Sequence, residues 1–396
     1  MGSKSRRRMR VECVSNIEAV GAEAWRSVET PDFPFFDYEF LRALENSGSV
    51  GPGSGWSPVH LVCRDGERLV GALPLYLKTD SYGEYIFDWE WANAHHQHGI
   101  PYYPKLVSAV PFTPATGPKI LVRSDADSVE RQRIEDALFD EVRSLGEEYR
   151  TSSTHALFVP EGDLGSFEER GFAVRHSLQF HWRNGGYESF EDYLGAMEGK
   201  RRRQIARERR QLEGERLEIE HLTGKALQVQ DESASELARI MHHFYLSTLD
   251  GKWGVPYLNG AFFEEVFRTM GDRILLVFAR DATTRQPIAG ALNFYKGRKI
   301  FGRYWGASEE RRNLHFDLCY YQAIDFAIER GLDLFEAGAQ GEHKLARGFL
   351  PSVTYSAHDI QHPAFDRAIR QYISDERRMI SNTVAAYSRH NPYKKA

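Results

Sequence analysis

The chain has 396 residues with a formal net charge of −5, so its length exceeds what one ordinary core covers, and its overall charge excludes a protein whose whole surface binds polyanions. Hydrophobic residues make up 41% and charged residues 27%, which are globular values, and no apolar run is long enough to cross a bilayer. Cys13, Cys63 and Cys319 are too few and too scattered for a disulfide framework or a metal site, which fits a reducing cytoplasm.

The basic stretch from Met1 to Arg10 is followed by no apolar signal segment and reads as a leader. Residues 11–56 read as helical segments and loops, with Phe40, Leu41 and Leu44 at helical spacing. Val59–Val62 and Leu69–Leu77 read as strands joined at Asp65-Gly66, a hairpin signal. Residues 80–118 are rich in aromatics and stiffened by Pro101, Pro104, Pro111, Pro114 and Pro118. Such a segment lines a ligand groove or packs over a core. His95, His96 and His98 lack partners at zinc-site spacing, so no metal is expected.

Ser128–Leu145 is an amphipathic helix with Ile134, Leu138 and Val142 on one side. Strands follow at His155–Val159 and Val174–Trp182. Glu188–Glu215 reads as helix and contains, from Lys200 to Arg210, seven basic residues and one acid. That block is either a solvated face or a phosphate-contacting surface. Helices are expected at Glu236–Leu249, Phe262–Met270, His315–Arg330 and Ala364–Tyr387. Strands are expected at Arg273–Arg280, Pro287–Tyr295 and Ile300–Trp305.

The last strands frame a polar loop. Leu332–Phe335 is a short apolar run, Gly338 and Gly341 permit tight turns, and Ser352–Ile360 returns as a strand. Glu342, His343, Lys344 and Arg347 lie within six positions of that loop. A glycine loop with several titratable groups between two strands is a common place for chemistry.

The chain repeats itself. Gly71-Ala72-Leu73-Pro74-Leu75-Tyr76 matches Gly290-Ala291-Leu292-Asn293-Phe294-Tyr295, each after a strand and an Arg-Asp turn. Gly171-Phe172 lies ten residues before His181, as Gly348-Phe349 does before His358. Each half reads as a strand pair, a helix, a strand, a short helix or loop, and a last strand. Two copies of one α/β domain are therefore expected.

That order is the order of the Gcn5-related N-acyltransferase (GNAT) fold, and two such units around a basic helix resemble the FemAB-type acyltransferases. The sequence is similar in particular to the FemAB-like group of peptidoglycan biosynthesis or recognition proteins. The motifs that carry the resemblance are Phe87-Asp88-Trp89, Tyr102-Tyr103-Pro104-Lys105-Leu106, Pro111-Phe112-Thr113-Pro114, and Gln179 to Asn184. Lys252-Trp253-Gly254, Gly302 to Gly306, Leu314 to Gln322, and Glu336 to His358 complete them. The resemblance implies an α/β protein of two tandem GNAT-like domains with mixed sheets flanked by helices. The expected boundaries are residues 11–183, a basic joining segment 187–220, and residues 221–390 with the active site.

The resemblance further implies an aminoacyltransferase that moves an amino acid from aminoacyl-tRNA to an amine, either a peptidoglycan precursor or a small molecule. An acyl-CoA-dependent N-acetyltransferase and a non-catalytic cell-wall recognition protein are the alternatives. GNAT enzymes hold the CoA pyrophosphate on a glycine loop before a helix. The corresponding segment, Ala307 to Leu318, has no glycine and three acids, which favours aminoacyl-tRNA as donor over acyl-CoA, with no bound cofactor. No Gly-x-Ser-x-Gly elbow is present, so direct transfer is expected.

Candidate catalytic residues are Glu336, Glu342, His343, Lys344 and His358. Lys344 is the nearest match to a FemAB lysine beside the donor or acceptor phosphate. Candidate substrate contacts are Arg303, Tyr304, Trp305, His315, Asp317, Tyr321, Gln340 and Arg347, with Asp88, Trp89, Lys252 and Trp253. Lys200, Arg201, Arg202, Arg203, Arg207 and Arg210 are the candidate tRNA contacts.

Overall fold

The computed structural model describes residues 9–228, 232–249, 256–339 and 341–394. Gln340, Lys252 and Trp253 lie outside them. The described residues form two compact units that are not contiguous halves. Unit 1 takes the residues up to Thr30, Phe35–Ser177 and Thr354–Ile380, and unit 2 takes Pro31–Pro34, Leu178–Val353 and the residues from Ser381 on.

Unit 1 carries the strands β1 (Arg10–Val14), β2 (Trp56–Pro58), β3 (His60–Asp65), β4 (Arg68–Leu73), β5 (Tyr76–Lys78), β6 (Lys105–Ser108), β7 (Leu121–Val122) and β8 (Ser153–Val159). The next strand, β9 (Ala173–Arg183), starts there. The order β1-β3-β4-β7 makes one small sheet. The expected strand Leu69–Leu77 is two strands, because Pro74 supplies no N–H to the ladder. The helix Ser128–Glu148 is capped by the Asp127 carboxylate on the Glu130 N–H. It packs Ile134, Leu138, Val142 and Leu145 into the core of this sheet, at about 1.5–3 kcal/mol for each side chain fully buried.

Unit 2 carries β10 (Leu217–Leu222), β11 (Ile274–Asp281), β12 (Pro287–Lys296), β13 (Lys299–Ala307) and β14 (Leu334–Glu336), ordered β10-β11-β12-β13-β14. The last strand, β15 (Leu350–Ile360), starts in this unit and ends in unit 1. β1, β3 and β4 pair antiparallel in sequence, as β10, β11 and β12 do, so the repeat read from short motifs has a counterpart in strand pairing.

The last strand of each repeat serves the other unit. β14 pairs antiparallel with the end of β9, Leu334 opposite Arg183 and Glu336 opposite His181. β8 pairs antiparallel with the end of β15, Tyr355 opposite Val159 and Ile360 opposite Ser153. This exchange is why compactness does not follow the contiguous boundaries expected from the sequence.

Other elements differ from expectation as well. β1 occupies residues read as helix and loop. The basic stretch is two helices, Phe190–Ala196 and Gly199–Glu213, broken where Met197 is extended with ψ 155°. The expected helix His315–Arg330 is Leu314–Phe316, a π turn over Asp317–Tyr321, and Gln322–Glu329.

β13 is pressed against the helix Glu232–Ser247. A Cβ at Gly306 would stand 1.7 Å from the Phe244 carbonyl oxygen and 2.3 Å from its carbon. Backbone cannot move aside as a side-chain tip does. Gly306→Ala is expected to destabilise unit 2 by about 3 kcal/mol or more. Thermal melting would show this as a fall of roughly 6–12 °C.

Candidate active site

β13 and β14 run parallel, but their pairing covers only Lys299–Phe301 against Leu334–Glu336. Beyond that point β14 leaves the ladder, and the chain turns through Gly338 (φ 81°) and Gly341 (φ 118°), left-handed conformations that favour glycine. Glu342–Arg347 then forms a short 3-10 turn. Its end is pinned by two phenols. Tyr193 donates to the Arg347 carbonyl at 2.6 Å, and Tyr393 donates to the Gly348 carbonyl at 2.8 Å.

Lys344 lies inside this turn. Its Nζ donates to the carbonyls of Ala337 (2.6 Å) and Gly338 (2.9 Å), where β14 has just left its partner. Burial pushes the ammonium down to about 8, with Arg303 adding to the fall and the Cys319 thiol opposing it. Glu336, at the end of β14, is buried. Glu342 is exposed and accepts from the Tyr387 hydroxyl.

Three residues of the π turn reach different partners. Tyr320 shares a 2.9 Å hydrogen bond with His343 Nε2. Tyr321 donates to Glu208. Asp317 accepts from Gln322 at 2.8 Å and lies 3.5 Å from Arg209. An extra residue in a helical turn re-aims the side chains that follow, and such turns are frequent at functional sites. His315 packs on Trp305 and Tyr320 at 4.9 and 5.5 Å between ring centroids. Burial holds the His315 imidazole down at about 4, helped by His343, Arg347 and Lys344. His343 is lowered too, by partial burial and then by Arg347 and Lys344. Both rings are therefore neutral near pH 7, His343 at the surface and able to accept a proton.

Arg347 is fixed from three sides. Its guanidinium lies 3.4 Å over the Phe316 ring, donates to the His343 carbonyl at 2.9 Å, and meets Glu208 at 3.0 and 3.1 Å. Glu208 comes from the basic helix Gly199–Glu213, which buries Ile205, Glu208 and Leu212 on one face. Lys200, Arg203, Arg207 and Arg210 recur at spacings of three and four on the opposite face and are exposed. Arg202 is exposed beside them, Arg201 is half-buried against Gln204, and none of these cations pairs with an acid among the described residues.

The FemAB-like family, described as peptidoglycan biosynthesis/recognition, matches residues 16–395. The chain belongs to this family. No curated protein matches the sequence. Among solved structures, FemX is 10% identical with a TM-score of 0.52, covering 91% of this chain and 100% of its own. The C-terminal domain (DUF2156) of a putative lysylphosphatidylglycerol synthetase from Agrobacterium fabrum is 10% identical with a TM-score of 0.54, covering 91% and 95%. At such identities the likeness speaks for the fold, and it bears out the expected tandem GNAT-like α/β class. Family and fold together support a transferase of the acyl or aminoacyl class. No described helix is long and apolar enough to cross a membrane.

In this FemAB-like chain the expected site residues fall into two groups. Arg303, Tyr304, Trp305, His315, Asp317, Tyr321, Glu336, Glu342, His343, Lys344 and Arg347 all belong to unit 2. Arg303 lies over the Tyr304 ring at 5.2 Å, and Tyr304 packs on Tyr245 and Phe263. Asp88, Trp89 and His358 belong to unit 1. Asp88 is buried, where burial alone would raise its carboxyl, but the Lys105 ammonium holds it down at about 2. His358 is enclosed, 2.6 Å from His155 through the Nδ1 atoms and 2.7 Å from the Ser356 hydroxyl. It was expected beside the polar loop because it ends the same strand. The exchange of β15 carries it into the other unit, where it packs on Trp91.

Glu208, Tyr320 and His181 were missed. Glu208 was legible as the acid in phase with Ile205 and Leu212. His181 is buried opposite Glu336, and burial, then Arg183 and Lys344, push its imidazole down to about 3. The unfolded chain protonates such a ring below about 6.5 and the folded chain does not, so stability falls as pH falls from there. Between pH 7 and pH 5 this one ring accounts for about 2 kcal/mol. Denaturant unfolding at the two values is expected to show a drop that shrinks by that amount in His181→Gln.

Proposed function

We propose that this FemAB-like protein is an N-acyltransferase that moves an amino acid from aminoacyl-tRNA onto an amine, forming an amide bond. The acceptor class is a peptidoglycan precursor or a small-molecule amine. The observation that carries the reading is one unit that bears both an exposed basic stripe and a buried lysine at the point where β14 leaves β13. A donor with a polyanionic body and a reactive ester calls for both features. The acidic, glycine-free connection after β13, with Glu309 and Glu310, suits a CoA pyrophosphate poorly.

In this reading the acceptor amine attacks the ester carbonyl. The C–N bond forms, the bond from carbon to the ribose oxygen breaks, and the leaving ribose oxygen becomes a hydroxyl by taking up the proton that the amine gives up. The neutral His343 ring takes the proton from the attacking amine. Lys344 has two N–H groups on the Ala337 and Gly338 carbonyls, which leaves its third for the oxyanion. Incubation with radiolabelled aminoacylated tRNA and a cell extract tests the proposal. Label transfer that RNase abolishes is the expected result. RNase-insensitive transfer, or heat released on mixing with acetyl-CoA, would replace the donor with acyl-CoA.

A further inference from the structure

Glu208 is the one acid between Lys200 and Arg210, and it is turned inward from an otherwise basic helix. Its carboxylate accepts from Arg347 Nη2 at both oxygens, from the Tyr321 hydroxyl, and from Gln204 Nε2 at 3.0 Å. Arg347 passes the connection on, because its other terminal nitrogen donates to the His343 carbonyl. Lys344 follows in the chain. Stability gives little reason for this arrangement, since a buried Arg–Glu pair gains little over apolar residues of the same volume. What it provides is a rigid, directional link between the helix and the turn.

We infer that Glu208 is a positioning residue that couples an anion docked on the outer face of the helix Gly199–Glu213 to the geometry of the turn Glu342–Arg347. The inference rests on the proposed function for the identity of that anion, a tRNA backbone. Arg203 and Arg207 flank Gln204 and Glu208 in the sequence, so a phosphate held outside restrains the backbone that carries the inner carboxylate. Arg347 transmits that restraint to the His343 carbonyl and so to the imidazole and the lysine. Coupling of this kind is reciprocal: a turn held in its working geometry tightens anion binding by the same factor.

The test follows the His343 imidazole by nitrogen NMR, assigned with His343→Gln, while uncharged total tRNA is added to the full-length protein. In the wild type the signal is expected to shift and saturate. In Glu208→Gln, tRNA still binds, the shift is lost, and single-turnover transfer from aminoacyl-tRNA slows about tenfold or more. The amide keeps an oxygen for Tyr321 and Arg347, so melting reports whether the fold survives. If it does not, Arg347→Lys supplies the second arm, because an ammonium cannot span Glu208 and the His343 carbonyl. A wild-type signal that ignores saturating tRNA, or a Glu208→Gln protein that keeps both shift and rate, overturns the coupling. The reading of function fails separately: a wild type that shifts with tRNA yet transfers nothing leaves the coupling standing.

Discussion

Lys344→Met is expected to lower transfer by about a hundredfold or more, the scale of losing one oxyanion donor, while the protein stays folded. Two opposing effects keep the fold intact. Holding the ammonium at about 8 against its ordinary 10.5 costs roughly 3 kcal/mol, and methionine removes that cost at nearly constant volume. Against this, the Ala337 and Gly338 carbonyls lose a charged donor, at about 1.5–3 kcal/mol each. The net is a modest shift in melting temperature. Full transfer by a folded Lys344→Met protein would remove the lysine from the mechanism.

The same group sets two pH dependences of opposite sense. If Lys344 steadies the oxyanion as proposed, wild-type transfer is expected to decline as pH rises through about 8, where that cation is lost. Stability is expected to rise over the same range. The unfolded chain keeps the lysine proton to about 10.5 and the folded chain releases it near 8, so the unfolded state binds more protons in between. Lys78, lowered to about 8 by burial in unit 1, contributes a rise of its own, so Lys344→Met removes only part of the effect.

The polar loop was legible because its signals are local: glycines where φ is positive, apolar runs on either side, and four titratable residues between them. The helix Ser128–Glu148 and the hairpin at Asp65-Gly66 were legible for the same reason. What was hidden depends on partners far along the chain. Nothing in β9 or β15 alone says which repeat each will complete, since both are similar strands after a Gly-Phe pair. His358 was therefore grouped with Lys344, and its pairing with His155 went unseen. β10 was hidden because its alternation, Leu217, Ile219 and His221, directly follows a long helical run. Phe87-Asp88-Trp89 and Tyr102 to Leu106 were each recognisable, but no spacing shows that Asp88 and Lys105 meet.

Charge reversal at Lys200, Arg203 and Arg207 is expected to weaken tRNA binding by about 100-fold at physiological salt, and further where the new carboxylates repel phosphate. The slope of log affinity against log salt is expected to become shallower by about 2–3, as three phosphate contacts release no counterions. Filter binding across a salt series measures both. Exposed substitutions of this kind change stability by about 0.5 kcal/mol or less, so a loss of binding cannot be put down to unfolding. Arg209 makes the comparison sharp. It sits on the same helix with the same charge, but it lies 4.4 Å over the Phe190 ring and pairs with Asp325 at 3.2 Å. Its replacement is expected to lower the melting temperature and leave the salt slope in place. If all four substitutions gave equal losses of binding, net charge alone would explain them. If only the outer three flatten the slope, the phosphates lie along the stripe, and the face of the helix, not its composition, is what the tRNA reads.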